Sequence, residues 1–391
     1  MSGMDVAVLG GGPAGLAAAM ALRHRGCRVA LYDGQHPPID KACGEGLMPE
    51  AVRLLLALGV TLDEQDGGAF TGISFHDSHA TAHAAFGSGR GLAVRRTRLQ
   101  GRMAARAAEM DVALHWGAVV HAVRGGFAWG GGAIQADFFV IADGLCSTLA
   151  SASGFRTRAC SSTRYASRQQ FQCAPWSDRV EVHWRDHEQL YVTPLGEDEV
   201  GVVLLTSRRG RKLSDALVDF PSVLDRLEGA TRTTAMRGAV TRTLSRREVI
   251  RGNIAVLGDA SGSVDAVTGD GLLSALQQAN ALADAIAAGE PQRYAAAHRQ
   301  ISKGPQRMTR LLLMLDRCPW LERRFVAAMA ERPESFAALL RVHLREQSWP
   351  GFTWKEAAEL LATGCHALRS SFRDTCSWLR YAAASHRERG L

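Results

Sequence analysis

The chain has 391 residues, of which 46% are hydrophobic and 22% charged, a balance that is ordinary for a globular protein with roughly two or three domains. The net charge of +7 comes from an excess of arginine, but no basic run is interleaved with aromatic residues, which argues against nucleic-acid binding. The eight cysteines form no CxxC pair and no zinc-ligand pattern, and no stretch reaches the roughly 18–20 apolar residues that cross a bilayer. We therefore predict a cytoplasmic protein with reduced thiols, without a metal site or a transmembrane segment.

The segment 6–33 reads VAVLGGGPAGLAAAMALRHRGCRVALYD. It predicts a strand at Val6–Leu9, a glycine-rich turn, a helix of small residues and a second strand at Arg28–Tyr32. This order of elements is typical of the first unit of a Rossmann-like dinucleotide-binding domain. Asp33 closes the second strand, where a carboxylate can accept the hydroxyls of a ribose. An acid at this position suits FAD or NAD and disfavours the 2′-phosphate of NADP.

The turn in this segment has the GxGxxG pattern of a pyrophosphate site. Gly10 permits the tight turn, Gly12 lets the backbone approach a pyrophosphate, and Gly15 allows the helix and the strand to pack closely. Pro13 and Ala14 complete the loop, and the N-terminus of the helix that follows offers free N–H groups to the phosphates. We therefore predict that this loop binds a dinucleotide.

A β-meander and a second motif follow in the middle of the chain. The predicted strands of the meander are Val119–Val123, Phe127–Trp129 and Ala133–Ala136. After them comes FVIADGLCSTL at 139–149, in which Asp143 and Gly144 directly follow an apolar strand and Ser147 lies three residues further on. The glycines at 125–132 belong to a hairpin, so they do not form a second dinucleotide fold.

Three alternating segments predict antiparallel strands with one buried face: VEVHW at 180–184, LYVTPL at 190–195 and VGVVLLT at 200–206. His183 and Tyr191 are the nearest titratable candidates for contact with a substrate, which the resemblance named below implies to be a phenol. The alternatives are a sheet histidine that faces solvent and a core aromatic residue.

The segment GDASGSVDAVTGDGLLSAL at 258–276 follows a predicted strand at 253–257 and leads into a helix that begins near Leu272. Asp259 could cap a helix while the glycines only turn the chain, but a cap does not need this many glycines. A capping role alone therefore does not explain this segment, and the resemblance named below implies that it holds part of a cofactor.

The chain after about residue 300 has helical periodicity, which is interrupted at Pro319. Apolar residues recur at the same three- and four-residue spacing as far as WKEAAELLATGCHAL. We expect these helices to pack against the rest of the globule. The alternative is a basic amphipathic face that lies on a membrane near a lipid-like substrate.

Taken in order, GxGxxG, ADGxxS and GDAxGxxxxxTGxG resemble the flavoprotein superfamily of aromatic-ring hydroxylases and geranylgeranyl reductases. The resemblance implies an α/β fold: a Rossmann-like FAD-binding domain of glutathione-reductase type, an inserted antiparallel β-sheet substrate domain and C-terminal helices. The domains it implies are a discontinuous FAD-binding domain at 1–70, 95–155 and 250–300, a substrate domain at 71–94 and 156–249, and a helical region at 301–391.

The resemblance also implies the residues of the FAD site. KACGEGLMP at 41–49 resembles the loop that runs alongside the cofactor, and Arg96 in AVRRTRLQGRMAARA resembles an arginine near the flavin. Asp259 would accept a hydrogen bond from the ribityl or phosphate-linked portion, and the segment 268–272 would let bare backbone approach the isoalloxazine ring. The residues assigned to FAD are Gly10, Gly12, Pro13, Ala14, Gly15, Asp33, Lys41, Cys43, Gly44, Arg96, Val119, Asp143, Gly144, Gly258, Asp259, Gly269, Asp270, Gly271 and Leu272.

The first functional hypothesis is an FAD-dependent monooxygenase of an aromatic, polyketide-like or lipid-like small molecule of secondary metabolism. NAD(P)H is the expected transient electron donor, because the chain has a single GxGxxG and Asp143-Gly144 resembles a motif that serves both FAD and NAD(P)H. The second hypothesis is a reductase or dehydrogenase of an isoprenoid or other C=C bond, and the third is a lipid carrier without redox chemistry. Pro194 matches the place where relatives put a proline over the flavin, but the tryptophans that flank it in halogenases and geranylgeranyl reductases are missing. The sequence leaves the oligomeric state open.

Overall fold

A parallel sheet and a larger antiparallel sheet form the framework of the computed structural model, which describes residues 3–347 apart from the side chains of residues 159–162. The strands in chain order are β1 (Asp5–Leu9), β2 (Arg28–Asp33), β3 (Gly46–Leu47), β4 (Gly67–Phe70), β5 (Gly72–His76), β6 (Thr81–Ala85), β7 (Gly91–Val94), β8 (Ala113–Trp116), β9 (His121–Val123), β10 (Gly126–Trp129), β11 (Gly132–Ala133), β12 (Phe138–Ile141), β13 (Thr157–Gln172), β14 (Arg179–Arg185), β15 (Glu188–Pro194), β16 (Glu199–Thr206), β17 (Thr231–Arg232), β18 (Arg237–Arg246), β19 (Ile250–Arg251), β20 (Ile254–Val256) and β21 (Gly262–Ser263).

The α-helices are α1 (Pro13–His24), α2 (Pro49–Ala57), α3 (Arg96–Glu109), α4 (Thr148–Ala152), α5 (Leu213–Leu217), α6 (Pro221–Arg226), α7 (Gly271–Ala287), α8 (Tyr294–Arg317), α9 (Pro319–Glu331) and α10 (Pro333–His343). Short 3-10 turns lie at Gly258–Ala260, Ala266–Thr268 and Pro291–Arg293. None of the helices within residues 3–347 combines the length and the apolar character that crossing a membrane would require.

The first sheet has six strands in the order β19-β20-β12-β1-β2-β8, and all of its pairings except β19–β20 are parallel. Its central strands β1 and β12 are short apolar runs that are buried on both faces, as expected for a parallel sheet covered by helices. The small residues of α1 let this helix contact both α3 and α7 closely. The Rossmann-like α/β fold predicted from the sequence is therefore confirmed.

The second sheet follows the order β21-β18-β13-β16-β15-β14-β5-β6, with β17 beside β13. Its pairings are antiparallel except for β14–β5, which is parallel. Apolar side chains from α8, α9 and α10 pack on one face of this sheet, and those of α5 and α6 pack on the other. Two further sheets have three strands each, in the orders β11-β10-β9 and β3-β7-β4.

Several predicted element boundaries are wrong by a few residues. The meander begins at His121 rather than Val119, and its third strand ends at Ala133 because only two of its residues pair with β10. The predicted break near Pro319 is confirmed, since α8 ends at Arg317 and Pro319 opens α9. The helix expected within WKEAAELLATGCHAL lies outside the described residues, and the domain boundaries remain a prediction.

Candidate flavin and substrate site

A cavity of about 500 Å³ lies between the two large sheets. The carboxyl ends of four parallel strands open into it, through the segments that follow β1, β2, β12 and β20. In open α/β sheets, ligands bind at this edge of the strands. The cavity then continues past α7 to the apolar side chains of α8 and α10. It therefore offers one continuous space for an extended molecule and a second ligand at its inner end.

The three glycines of the N-terminal loop have different structural roles. Gly10 has a φ of +123°, and a Cβ there would collide with the carbonyl oxygen of Ala142. A Cβ on Gly15 would collide with the carbonyl oxygen of Gly10, so this glycine lets α1 start close to β1. A Cβ on Gly12 would have Arg96 Nη2, 4.0 Å away, as its nearest neighbour among the described residues. The backbone of Gly12 is therefore open to a ligand in the cavity. Gly12 caps α1 without any side-chain hydrogen bond, which leaves the first N–H groups of the helix free for an anion.

Asp33 lies at the end of β2 and holds the loop in place. Its two carboxylate oxygens accept hydrogen bonds from the backbone N–H groups of Gly11 at 2.6 Å and Gln35 at 2.7 Å. Asp33 lines the cavity, whereas Val119 does not: its side chain is 56% exposed and lies beside Gly34. The structure therefore does not bring Val119 to the cavity wall.

Two basic residues lie at the middle of the cavity. Arg96, at the start of α3, lines the cavity, and its buried Nε has no hydrogen-bond partner in the part of the chain that the structure describes. The Nζ atom of Lys41 lies 3.4 Å from Asp259 Oδ2, and both side chains are about half exposed. An unpaired guanidinium beside the open Gly12 suits a diphosphate, because arginine binds phosphate oxygens with paired N–H donors.

Bare backbone surrounds the inner part of the cavity near the start of α7. Gly269 has a φ of +67°, and a Cβ on Gly269 or Gly271 would meet nothing within 4 Å. The N-terminus of α7 has no side-chain cap, so its N–H groups and the positive end of its dipole are available there. Gly258 and Leu272 also line this part. These features, with the open Gly12 and the unpaired Arg96, fit FAD.

A buried polar pair that the sequence analysis missed lies beside this segment. Asp270 Oδ2 is 3.7 Å from His343 Nδ1, and their side chains are 2% and 9% exposed. Among the described residues, Asp270 Oδ1 and His343 Nδ1 have no hydrogen-bond partner, and Arg345 Nη2 lies 3.9 Å from Asp270 Oδ1. Both Asp270 and His343 line the cavity. The pair can therefore bind a polar group of a ligand that is otherwise apolar.

The inner end of the cavity is an apolar chamber. The side chains that line it from the antiparallel sheet and the C-terminal helices are Ile73, Phe75, Val180, Val182, Trp184, Val203, Leu205, Met308, Leu312, Phe336, Leu339 and Leu340. Tyr191 also lines the chamber, where its hydroxyl donates to the carbonyl oxygen of Val267 at 2.9 Å. Burial raises the pKa of Tyr191 well above its ordinary value, so the residue is a neutral part of the wall.

Two of the predicted substrate residues do not reach the chamber. His183 lies between the lining residues Val182 and Trp184 on β14, and strand alternation puts it on the opposite face. The prediction that it faces solvent is also wrong, because it is 8% exposed and bonds to Glu181. Pro194 is buried at the end of β15 against Gly68, and its neighbour Thr193 lines the cavity instead.

The Asp-Gly motif lines the cavity between the two halves of the cofactor site. Asp143 accepts a hydrogen bond from Leu149 N at 3.4 Å, and partial desolvation by the cavity walls raises the pKa of its carboxyl. Ser147 caps α4 by accepting from Ala150 N at 3.0 Å. The serine of this motif therefore has a structural role in positioning Asp143 and Gly144.

A buried ion pair holds the loop that contains Lys41, Cys43 and Gly44, all of which line the cavity. Glu45 Oε1 accepts from Arg168 Nη1 at 2.6 Å, and Arg168 Nη2 also binds Asp40 at 2.9 Å. Burial raises the pKa of Glu45, while the charge of Arg168 acts in the opposite direction. The sequence analysis missed this pair, because Arg168 comes from β13, far along the chain.

The comparisons with known proteins agree with this geometry. The family described as "Pyridine nucleotide-disulphide oxidoreductase" matches residues 4–170. Menaquinone reductase from Mycolicibacterium smegmatis is 50% identical over 56 residues, and that from Mycobacterium tuberculosis is 48% identical over 56 residues. Each match spans 14% of this chain and 14% of the relative.

Solved structures match over most of the chain. A flavin-dependent brominase has a TM-score of 0.74 at 17% identity, with 88% of this chain and 93% of that chain covered. A flavoprotein/dehydrogenase from Cytophaga hutchinsonii has a TM-score of 0.73 at 17% identity, covering 87% and 92%. A mutant of 2-methyl-3-hydroxypyridine-5-carboxylic acid oxygenase has a TM-score of 0.67 at 22% identity, covering 79% and 90%. The fold implied by the motifs is thus confirmed: the chain has the same fold as solved flavin-dependent halogenases and hydroxylases.

Proposed function

We propose that the protein is an NAD(P)H-dependent FAD monooxygenase that hydroxylates an apolar small molecule with a phenolic ring, a lipid-like or polyketide-like compound of secondary metabolism. One observation carries this proposal: the cavity that fits FAD continues, without a break, into the apolar chamber behind α7. Such a chamber excludes water and accepts a greasy substrate, while the Asp270–His343 pair at its edge provides a polar anchor.

The residues of the outer cavity would hold the cofactor. Arg96 and the free N–H groups of α1 would bind its diphosphate, and Asp33 would face its ribose. The free N–H groups at the start of α7 would stabilise negative charge on the ring. FAD, when bound, supplies the electron transfer and the reaction with oxygen that these side chains do not perform themselves.

The residues of the chamber would orient the substrate and control its proton. Within residues 3–347, neither His343 Nδ1 nor Asp270 Oδ1 has a hydrogen-bond partner, so either can accept a hydrogen bond from a phenolic hydroxyl. Withdrawal of that proton makes a phenol ring a better nucleophile, which favours its hydroxylation. The walls contributed by α8 and α10 would keep water away from the reacting ring.

The proposal is tested with purified protein supplied with FAD. We expect a yellow protein whose oxidation of NADH or NADPH is stimulated by phenols that carry alkyl chains. The product should gain one oxygen atom that derives from labelled molecular oxygen. A protein that is colourless after incubation with FAD and removal of the unbound FAD contradicts the cofactor assignment. Turnover that yields only peroxide with every phenol contradicts hydroxylation.

The second candidate is a reductase of a C=C bond, and the matches to menaquinone reductases favour it. Menaquinone is a quinone with an isoprenoid tail, and the apolar chamber would suit such a tail as well as it suits an alkylphenol. A reductase would turn over without oxygen, so anaerobic consumption of NAD(P)H with a product two hydrogen atoms heavier would select this function. The lipid carrier is disfavoured, because a carrier does not need an unpaired arginine beside a glycine-lined groove.

NAD(P)H as the transient donor and a cytoplasmic location belong to the same proposal. Asp143 and Gly144 line the cavity in a position open to a second ligand, which supports a donor that binds and leaves. Comparison of NADH with NADPH in anaerobic flavin reduction tests the donor.

A further inference from the structure

We infer that the antiparallel sheet carries a binding site for a divalent transition metal, formed by His76, Glu181 and His183 on the face opposite the substrate chamber. Strand β14 pairs in parallel with β5, in a register that puts His183 beside His76 and Glu181 beside Ser74. Because side chains alternate along a strand, all three lie on one face of adjacent strands. The sequence did not predict the site, since its ligands come from two strands far apart in the chain.

The distances suit a single ion. One ligand atom from each residue lies within 4.8 Å of the other two. His183 Nε2 is 3.0 Å from Glu181 Oε2, and His76 Nε2 is 3.9 Å from Glu181 Oε1. Zinc binds histidine nitrogen at roughly 2.0–2.1 Å and carboxylate oxygen at roughly 2.0–2.2 Å, so ligand atoms around one ion are separated by about 3–4 Å. Two imidazoles and one carboxylate form a ligand set that Zn²⁺ and Fe²⁺ accept.

The groups around these three side chains orient them as supporting residues of a metal site do. Trp176 Nε1 donates to Glu181 Oε2 at 3.0 Å. Thr81 Oγ1 lies 3.2 Å from His76 Nδ1, and Ser74 Oγ lies 2.9 Å from His76 Nε2. When Thr81 accepts from an Nδ1–H, a metal can take the Nε2 lone pair in place of the Ser74 hydroxyl. The rings of His76 and His183 are stacked, with centroids 4.4 Å apart. The side chains of Glu181 and His183 are each 10% exposed, so the cluster is preorganised rather than a loose surface group.

An ion can reach the cluster from outside. An open recess of about 620 Å³ lies next to it, and its charged wall residues are Glu181, Asp178, Arg179 and Arg226. Water in this recess can complete the coordination of an ion held by three protein ligands. The recess is separate from the cofactor cavity, whose walls include none of the three ligands within the described chain.

Binding at this site would stiffen one wall of the chamber. Val182 and Trp184 alternate with the two ligands of β14, and Phe75 precedes the ligand of β5, so these apolar side chains enter the chamber from the same two strands. An ion that joins β14 to β5 would therefore fix the spacing of the residues that line the chamber.

The test uses the 391-residue chain loaded with FAD, stripped with a chelator, incubated with Zn²⁺ and desalted. Zinc measured by elemental analysis should be equimolar with wild-type protein. It should fall to background in Glu181→Gln and His183→Gln, while His121→Gln, an exposed histidine on β9, should retain it. Zinc should also raise the melting temperature of the wild type and of His121→Gln, because ligand binding to the folded state stabilises it, but not that of the two site variants.

Retention of zinc by both site variants overturns the proposal, as does a wild type with no more zinc than Glu181→Gln. The visible spectrum of bound FAD reports whether each variant is folded. If the two buried variants lose FAD, X-ray absorption of zinc-loaded wild type decides: nitrogen and oxygen ligands alone at roughly 2.0–2.2 Å support the site, and sulfur at roughly 2.3 Å overturns it.

Discussion

Two glycines in helices, Gly15 and Gly101, show how the atoms around a residue determine the effect of a glycine-to-alanine substitution. Gly15 lies in the first turn of α1, where a Cβ would collide with a backbone carbonyl, whereas Gly101 lies in α3 with nothing within 4 Å of a Cβ. Both are helical positions of the same half of the molecule. They therefore form a matched pair.

We expect Gly15→Ala to lose most of its bound FAD, because α1 must move away from the loop that binds the diphosphate. Gly101→Ala should keep its FAD and gain roughly 0.5–1 kcal/mol of stability, since alanine is the better helix former. The ratio of flavin to protein absorbance and the melting temperature measure both effects. Equal FAD content in the two variants would contradict the packing role of Gly15.

A buried carboxylate on α9 should make stability depend on pH. Burial, with Asp77 nearby as a second cause, raises the pKa of Glu322 from 4.5 to about 7, and no described residue hydrogen-bonds to its buried Oε1. The folded state thus binds the proton more tightly than the unfolded state. This contribution is complete below about pH 4.5 and is lost as the pH rises through 7.

Glu322→Gln removes the titrating group at nearly constant volume. Relative to wild type, we expect its free energy of unfolding to rise between pH 5 and pH 8, by roughly 1–3 kcal/mol at the upper end. Urea unfolding at several pH values measures the difference. Glu331→Gln, at the exposed end of the same helix, is the control and should follow the wild type. A Glu322→Gln curve parallel to that of the wild type would rule out the raised pKa.

At the scale of whole elements, α8 and α10 have a function that helical periodicity could not predict. The sequence indicated that the chain after residue 300 forms helices, and the structure confirms this over the part that it describes. These helices supply Leu312, Leu339 and other walls of the chamber. Periodicity indicates that a helix has an apolar stripe, but the stripe has the same pattern whether it packs on a sheet or faces a ligand.

A tryptophan at Leu312 should fill the chamber and leave the cofactor in place. Leu312 lines the cavity and is 6% exposed, whereas Met314 on the same helix is 41% exposed. We expect Leu312→Trp to keep the flavin spectrum and to lose the spectral change that long alkylphenols induce, with short phenols affected less. Met314→Trp should behave as the wild type. Unchanged binding of long substrates by Leu312→Trp would mean that the substrate lies elsewhere.

At the scale of the whole molecule, sequence reasoning succeeded where the interactions are local. Gly10, Gly12 and Gly15 lie close together in the chain. Their spacing alone therefore predicts a tight turn in which the backbone of Gly12 is open to a ligand. Asp270 and His343 meet only in the folded chain, and no motif relates positions so distant. His183 is a third case. Strand alternation placed its side chain on the face opposite Val182 and Trp184. Alternation does not indicate that this second face of the sheet is also packed, so the burial of His183 could not be predicted.

The contact between Glu45 and Arg168 joins the cofactor loop to the antiparallel sheet, and its loss should weaken both. The two side chains are 1% and 3% exposed. Arg168→Met leaves the Glu45 carboxylate buried without its positive neighbour, which costs roughly 3–5 kcal/mol in comparable pairs. Arg237→Met removes a second arginine that binds Asp40, at a half-exposed position, and should cost roughly 1 kcal/mol or less.

Adding Glu45→Gln to Arg168→Met should recover part of the lost stability, because the amide needs no counter-charge. Acid should have the same effect on the single variant: removal of Arg168 takes away the charge that lowers the pKa of Glu45, so that pKa rises further and Glu45 is protonated below it. Both effects are measured by urea unfolding at pH 5.5 and pH 8, with the release of FAD as the signal. A double variant that is as unstable as Arg168→Met at both pH values would show that Arg168 acts through its packing or through Asp40. In that case the buried charge of Glu45 contributes little to the contact between the cofactor loop and the antiparallel sheet.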